Sequence, residues 1–110
     1  MRSPLRWARG GVLLAVLLTP ASAAEDVAAG LLLVEANCAG CHAIALDGVS
    51  PLPDAPPFRE LHQRYDVEFL SEALVEGIMT GHEAMPEFVF SPDEAAAVVG
   101  YLKSLEPAAN

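Results

Sequence analysis

The segment Asn37–Ile44, NCAGCHAI, contains the only two cysteines of the chain, Cys38 and Cys41, and His42 follows the second directly. Two thiols three positions apart suit four kinds of chemistry: a disulfide, half of a zinc site, a redox-active dithiol, or a covalent anchor for a cofactor. A disulfide across two residues would close a small loop and gain little stability. A thioredoxin-like dithiol is expected beside a βαβ pattern, which this sequence lacks.

Zinc binding and cofactor attachment are the remaining interpretations. A structural zinc site takes four ligands, so His62 or His82 would have to complete the set. C-x-x-C-H is the spacing of c-type haem attachment. There each thiol adds across one haem vinyl group to form a thioether, which holds the adjacent histidine under the iron as its proximal ligand. We therefore interpret Cys38, Cys41 and His42 as the attachment site of one haem c.

A candidate for the second axial ligand is Met85, which lies 43 residues after His42 in the loop segment GHEAMPEF. A thioether sulfur is a soft, neutral donor that favours Fe(II) and raises the reduction potential relative to a second nitrogen ligand. Pro86 fixes the backbone beside it. His82 is the competing ligand, and Met79, at the end of an apolar helix, is predicted to belong to the core. The sequence therefore predicts iron ligation by His42 and Met85.

The elements that position these residues are predicted to be helices. Within residues 25–36, Val27, Leu31 and Val34 recur at the spacing of one helix face, and Gly30 shares that face. Glycine weakens a helix, so its presence in the middle predicts the close approach of another backbone.

Four further segments follow in the chain. Residues 48–57 contain four prolines and are predicted to form an ordered, non-helical loop. Residues 58–65 are compatible with a short helix. Asp66 is predicted to cap a helix over residues 66–78. The start of the last helix is marked by a capping box and a proline at its first position, formed by Ser91, Glu94 and Pro92.

The two later helices each carry an apolar stripe at helical spacing. The stripe residues are Val67, Leu70, Leu74 and Ile78 in one helix and Val98, Tyr101, Leu102 and Leu105 in the other. No segment shows a convincing two-residue alternation. The predicted fold class is all-α.

Residues 1–23 have the pattern of a secretory signal peptide. A basic start precedes an apolar run, Val12–Leu18, and small residues precede the expected cleavage point after Ala23. The run is far shorter than the roughly 20 residues that a membrane-spanning helix needs. We expect residues 1–23 to be cleaved, and residues 24–110 to form a single periplasmic domain that does not insert into the membrane.

The predicted mature chain is strongly acidic. Residues 24–110 hold three basic residues against fifteen acidic ones, a formal charge of −12. This charge argues against nucleic acid as a partner, because the phosphates would repel it. It suits a protein that meets basic or apolar partners, and Lys103 is the only lysine in the chain. We expect a monomer whose partners are redox proteins.

With these features the chain resembles the class I c-type cytochromes, and in particular their small bacterial monohaem members. The resemblance is carried by CAGCH, by the ligand loop MPEF and by a last helix ending in GYLKSL. It implies a cytochrome c fold whose first and last helices cross nearly at right angles around one covalently bound haem. Gly30 and Val34 match the family's crossing positions, and Tyr101 and Leu102 match the opposing face.

The same resemblance implies roles around the haem. A proline carbonyl in the family accepts a hydrogen bond from the proximal histidine, and Pro56 in the segment APPF is the first candidate here, with Phe58 as an apolar haem contact. The family often uses a tryptophan to bond a haem propionate, but residues 24–110 contain none. Arg59, Arg64 and Tyr65 are the available substitutes.

The leading functional hypothesis is single-electron transfer by a haem whose iron cycles between Fe(III) and Fe(II) with both axial positions filled. Such a protein is a carrier and not an enzyme. One alternative is a haem protein with an open sixth site and peroxidatic or gas-binding behaviour. Others are an electron-accepting subunit of a dehydrogenase or oxidase, and a haem-free metal or thiol protein.

Overall fold

The computed structural model describes residues 4, 10–18, 23–77 and 84–108. These residues form three α-helices: α1 (Ala23–Asn37), α2 (Leu70–Glu76) and α3 (Pro92–Ser104). Two 3₁₀ helices, Phe58–Gln63 and Val67–Phe69, lie between α1 and α2. These ranges contain no β-strand, so the all-α prediction is confirmed. None of the helices within them is both long and apolar enough to cross a bilayer.

Helices α1 and α3 pack directly against each other through Gly30. A Cβ atom built at Gly30 would overlap the carbonyl oxygen of Ala97 and lie 2.8 Å from Cβ of Tyr101. Only a residue without a side chain allows this approach. Val34, one turn further along α1, is completely buried. The contact predicted from a glycine in the middle of a helix is therefore present.

The start of α3 is fixed by its own sequence. The Ser91 side chain accepts a hydrogen bond from the Glu94 amide at 3.2 Å, and the Glu94 carboxylate accepts one from the Ser91 amide at 2.9 Å. This reciprocal pair satisfies two amides that the first turn would otherwise leave unpaired. Pro92 occupies the first helical position. The capping box predicted from the sequence is confirmed.

The helix predicted over residues 66–78 differs from the structure. Asp66 does cap it, because its side chain accepts a hydrogen bond from the Glu68 amide at 3.0 Å. However, the three residues after the cap, Val67–Phe69, form a 3₁₀ turn, and α2 ends at Glu76. The physical reason for the earlier end is Gly77, whose φ of 98° is incompatible with a continuing right-handed helix. Ile78, Met79 and His82 lie outside the described residues.

Within the described part of the chain, one apolar core connects these elements. Its side chains come from α1, α2, α3, the 3₁₀ helices and the segment before α3. The buried members are Val34, Phe58, Leu61, Val67, Leu74, Phe90, Ala95, Val98, Tyr101, Leu102 and Leu105. Each fully buried Val, Leu or Phe contributes about 1.5–3 kcal/mol relative to exposure, so this cluster holds the helices in place around the site.

Candidate functional site

The two cysteines and the histidine lie in tight turns that continue directly from the end of α1. The Cys38 amide donates to the Val34 carbonyl at 2.8 Å, and the His42 amide donates to the Cys38 carbonyl at 3.0 Å. These bonds stack the segment as helix-like turns. As a result, the two thiols lie about one turn apart and the imidazole follows immediately.

The proline-rich loop packs along this segment and fixes the histidine ring. His42 Nδ1 lies 2.7 Å from the Pro56 carbonyl oxygen, so Nδ1–H donates to that carbonyl. In the neutral imidazole this leaves Nε2 without a proton and available to bind a metal. The Phe58 ring lies against the imidazole, with 4.6 Å between ring centroids and an angle of 37° between ring planes.

Two adjoining cavities open beside the histidine, with volumes of about 410 and 470 Å³. These volumes fall within the range of small-molecule and cofactor sites. The residues that line both cavities come from the cysteine segment, the proline-rich loop and the segment before α3. They are Cys38, His42, Asp54, Pro56, Phe58, Met85 and Phe88. Cys41 lines only the smaller of the two cavities.

Met85 approaches the cavities from the segment that precedes α3. The Phe90 amide donates to the Leu74 carbonyl at 2.8 Å, and this bond attaches the segment to α2. The structure thus brings Met85 to the same cavity walls as His42, although 43 residues separate them in the chain. His62, a candidate fourth zinc ligand, lines neither cavity. The other candidate for that role, His82, lies outside the described residues.

The three residues predicted to face the haem propionates divide into two groups. Arg64 and Tyr65 line the larger cavity. The guanidinium of Arg59 donates to the Gly48 carbonyl at 2.9 Å, and Arg59 lines neither cavity. Burial raises the pKa of Tyr65, an effect that the nearby charge of Arg64 partly opposes. The neutral phenol can donate a hydrogen bond.

Several residues of the site are not predicted from the sequence. Asp54 lines both cavities, and Asn37 and Leu52 line the smaller one. The interior wall of the larger cavity includes Leu70 and Leu74 of α2. The helical spacing of Leu70 and Leu74 predicts only that they belong to the core. Asp54 could have been predicted from its place two residues before Pro56, because the loop that supplies a carbonyl to His42 must also pass the cavity.

The thiol environment differs from that of a redox-active pair. Burial, together with a smaller effect of the neighbouring Cys41, raises the pKa of Cys38 to about 11. A reactive dithiol needs a lowered thiol pKa, so the site does not favour thiolate redox chemistry. The two sulfurs are not bonded to each other.

The donor set and the shape of the site fit a haem. The cavities combine mainly apolar walls with two thiols, an imidazole whose Nε2 is available and a thioether sulfur. Imidazole and thioether are the axial ligands of many c-type haems, and apolar surroundings limit the access of water to the iron. The outer face of α2 carries a third, more open groove lined by Glu68, Glu72 and Glu76, which offers no comparable donors.

Comparisons with known proteins agree with this arrangement. The protein-family model for cytochrome c matches residues 27–106. Cytochrome c-552 of Bradyrhizobium diazoefficiens is 35% identical to this chain over 97 residues, which cover 87% of this chain and 91% of that protein. No solved structure matches the chain significantly. The chain therefore belongs to the cytochrome c family and is a haem electron-transfer protein, with haem c bound covalently through Cys38 and Cys41.

Proposed function

We propose that this chain is an exported monohaem carrier of single electrons whose iron is ligated by His42 and Met85. The observation that carries the proposal is the meeting of these two side chains on the walls of the same cavities. One is a nitrogen donor and the other a soft sulfur donor, and they come from segments that lie 43 positions apart in the chain. With both axial positions occupied by protein, little rearrangement accompanies a change in oxidation state.

The bound haem would supply a reversible Fe(III)/Fe(II) couple, and the protein supplies anchoring, ligation and exclusion of water. Cys38 and Cys41 hold one edge of the macrocycle. Pro56 orients the His42 ring through its carbonyl and makes the imidazole a stronger donor. Phe58, which lies against the His42 ring, would make an apolar contact with the haem. Met85 would supply the second ligand, a thioether sulfur that favours the reduced state.

Polar groups at the larger cavity suit the haem carboxylates. We assign the propionate contacts first to Arg64 and Tyr65, because both side chains line that cavity. Arginine binds carboxylates with strong, charge-assisted hydrogen bonds. Arg59 is already hydrogen-bonded to the Gly48 carbonyl and is the weaker candidate of the three.

The mouth of the smaller cavity is the proposed docking surface for redox partners. Its exposed residues are largely apolar, with one carboxylate: Asn37, Leu52, Asp54, Ala84 and Pro86. Among the described residues that line this cavity, none carries a positive charge. We therefore expect a partner that presents an apolar centre with a basic rim. Electron exchange with such a partner should slow as salt rises.

A charge-neutralising substitution tests this surface. Asp54→Asn should lower the rate constant for electron transfer with a basic redox protein at low salt and flatten its salt dependence. Glu76→Gln is the matched control, because it makes the same charge change in the groove on the outer face of α2. Equal effects of the two substitutions would show that net charge, and not this surface, governs the encounter.

We also propose that residues 1–23 direct export and are removed, which places the haem domain in the periplasm. The basic start and short apolar run support this assignment. N-terminal sequencing of the protein recovered from the periplasm should begin at Ala24. A mature protein that retains Met1–Ala23 would contradict the proposal.

The ligand assignment is tested by substitution and ferric spectroscopy. Met85→Leu should abolish the weak methionine–iron charge-transfer band at the red end of the ferric spectrum and lower the reduction potential. Met79→Leu is the matched control and should leave the band intact. If the band is absent from the unsubstituted protein and His82→Ala changes the spectrum instead, histidine is the second ligand and the assignment to Met85 is wrong.

A further inference from the structure

The short segment of residues 41–44, which carries His42, is hydrogen-bonded to three separate parts of the chain. Two of the bonds join backbone groups: the Leu52 amide donates to the Cys41 carbonyl at 3.1 Å, and the Phe58 amide donates to the Ala43 carbonyl at 2.9 Å. Two more come from side-chain hydroxyls, one in the proline-rich loop and one in α3. The backbone on either side of the histidine is therefore fixed from several directions.

The hydroxyl from the proline-rich loop belongs to Ser50. Its Oγ accepts a hydrogen bond from the Ala43 amide at 3.0 Å, and the residue is only 7% exposed. Ser50 is the single buried polar residue within the described ranges. Burying a hydroxyl is unfavourable unless it is hydrogen-bonded, so the bond to the residue next to His42 is what makes a serine acceptable at this position.

The hydroxyl from α3 belongs to Tyr101. It donates to the Ile44 carbonyl, two residues after His42, at 2.5 Å. The same side chain packs at Gly30, where α1 and α3 approach each other. Tyr101 thereby links the helix contact to the segment that carries the histidine, across 57 positions of the sequence.

We propose that Ser50 and Tyr101 are positioning residues for His42. By fixing the peptide groups at Ala43 and Ile44, they hold the backbone from which the imidazole projects. The ring then keeps its Nδ1–H aimed at the Pro56 carbonyl, 2.7 Å away, and leaves Nε2 available to a metal. The inference rests on the proposed function, in which Nε2 binds the haem iron.

Removing either hydroxyl should loosen the histidine without removing a ligand. In Ser50→Ala the Ala43 amide loses its partner in a buried place, and in Tyr101→Phe the Ile44 carbonyl loses its donor. The hydrogen bond from Nδ1–H to Pro56 should lengthen in both variants. A weaker hydrogen bond makes the imidazole a poorer donor to Fe(III), so the reduction potential should rise.

The test uses the holoprotein in three variants: Ser50→Ala, Tyr101→Phe and the control Ser71→Ala, which deletes a hydroxyl in the groove on the outer face of α2. NMR of the diamagnetic ferrous protein, with ¹⁵N-labelled histidine, reports the Nδ1–H resonance of His42. We expect this proton to move upfield and the reduction potential to rise in the first two variants, and neither to change in the control. Unchanged resonance and potential in both Ser50→Ala and Tyr101→Phe, even with a lower melting temperature, would overturn the inference.

The failure of this inference can be told apart from the failure of the proposed function. The ferric and ferrous spectra of the unsubstituted protein report first whether the iron is low-spin with histidine and methionine bound. If they do not, the ligand assignment is wrong irrespective of Ser50 and Tyr101. If they do, the comparison between variants addresses only how His42 is held.

Discussion

Two glycines, one in α1 and one in α3, should respond in opposite directions to the same substitution. Both Gly30 and Gly100 lie inside helices. A Cβ added at Gly100 would meet no heavy atom within 4 Å. A Cβ added at Gly30 would overlap the Ala97 carbonyl oxygen and lie 2.7 Å from its carbonyl carbon. Because the obstacle at Gly30 is backbone, no side-chain rotation can relieve it, and α1 and α3 must separate.

The expected magnitudes follow from these contacts. Alanine is favoured over glycine in a helix interior by about 0.8–1.0 kcal/mol, so Gly100→Ala should stabilise the protein by roughly that amount. Overpacking typically costs about 1–3 kcal/mol, and the backbone clash places Gly30→Ala near the upper end. After the helix gain is subtracted, a net loss of about 2 kcal/mol remains. For a domain of this size that corresponds to a melting temperature lower by roughly 8–16 °C.

Thermal unfolding of the ferric holoprotein, followed by circular dichroism, measures both effects. The haem stays covalently attached in each variant, so the comparison is not affected by loss of the cofactor. Gly30→Val should be less stable than Gly30→Ala, because two more methyl groups enter the same contact. An unchanged melting temperature in Gly30→Ala, with Gly100→Ala behaving as expected, would refute the packing of α1 on α3 at this residue.

Three other predictions concern local features of the fold. Ser91→Ala removes the acceptor for the Glu94 amide and should lower the free energy of unfolding by about 1 kcal/mol. Denaturant titration measures this change, and an unchanged free energy of unfolding would contradict the prediction. Gly77→Ala places a side chain at a φ of 98° and should cost about 1–3 kcal/mol, which the same titration measures and a neutral result would contradict. Because burial raises the pKa of Tyr65, its stabilising contribution is complete below about pH 10 and is lost as the pH rises through the folded-state pKa. The Tyr65→Phe variant should therefore lose less stability than the unsubstituted protein when the pH is raised. Denaturation midpoints of both proteins at neutral and alkaline pH measure this, and an equal loss in the two would contradict the prediction.

The helices could be predicted because their signals are local or periodic. The capping box at Ser91 and Glu94 involves residues three positions apart, and such a pair makes the same bonds in almost any context. Gly30 was informative for a different reason: glycine inside an apolar helix face is costly unless another backbone needs the space. Both features appear in the structure as the sequence predicted them.

The supporting contacts of the site could not be predicted in the same way. Nothing in the sequence marks Ser50 as the partner of the Ala43 amide, because the pairing depends on how a proline-rich loop folds back over seven residues. The hydrogen-bond partner of Arg59 could not be predicted either, since a long, flexible side chain can reach either a carboxylate or a nearby carbonyl. The early end of α2 depends on the positive φ of Gly77, a conformation that glycine permits but does not require.

The central claim is that His42 and Met85 close both axial positions of the haem iron in an electron carrier. The most direct test is the reaction of the native ferrous protein with carbon monoxide, followed by its visible spectrum. A closed site predicts no rapid change in the spectrum, whereas Met85→Ala should bind carbon monoxide readily. Rapid binding by the unsubstituted protein would contradict the claim and identify an open sixth position.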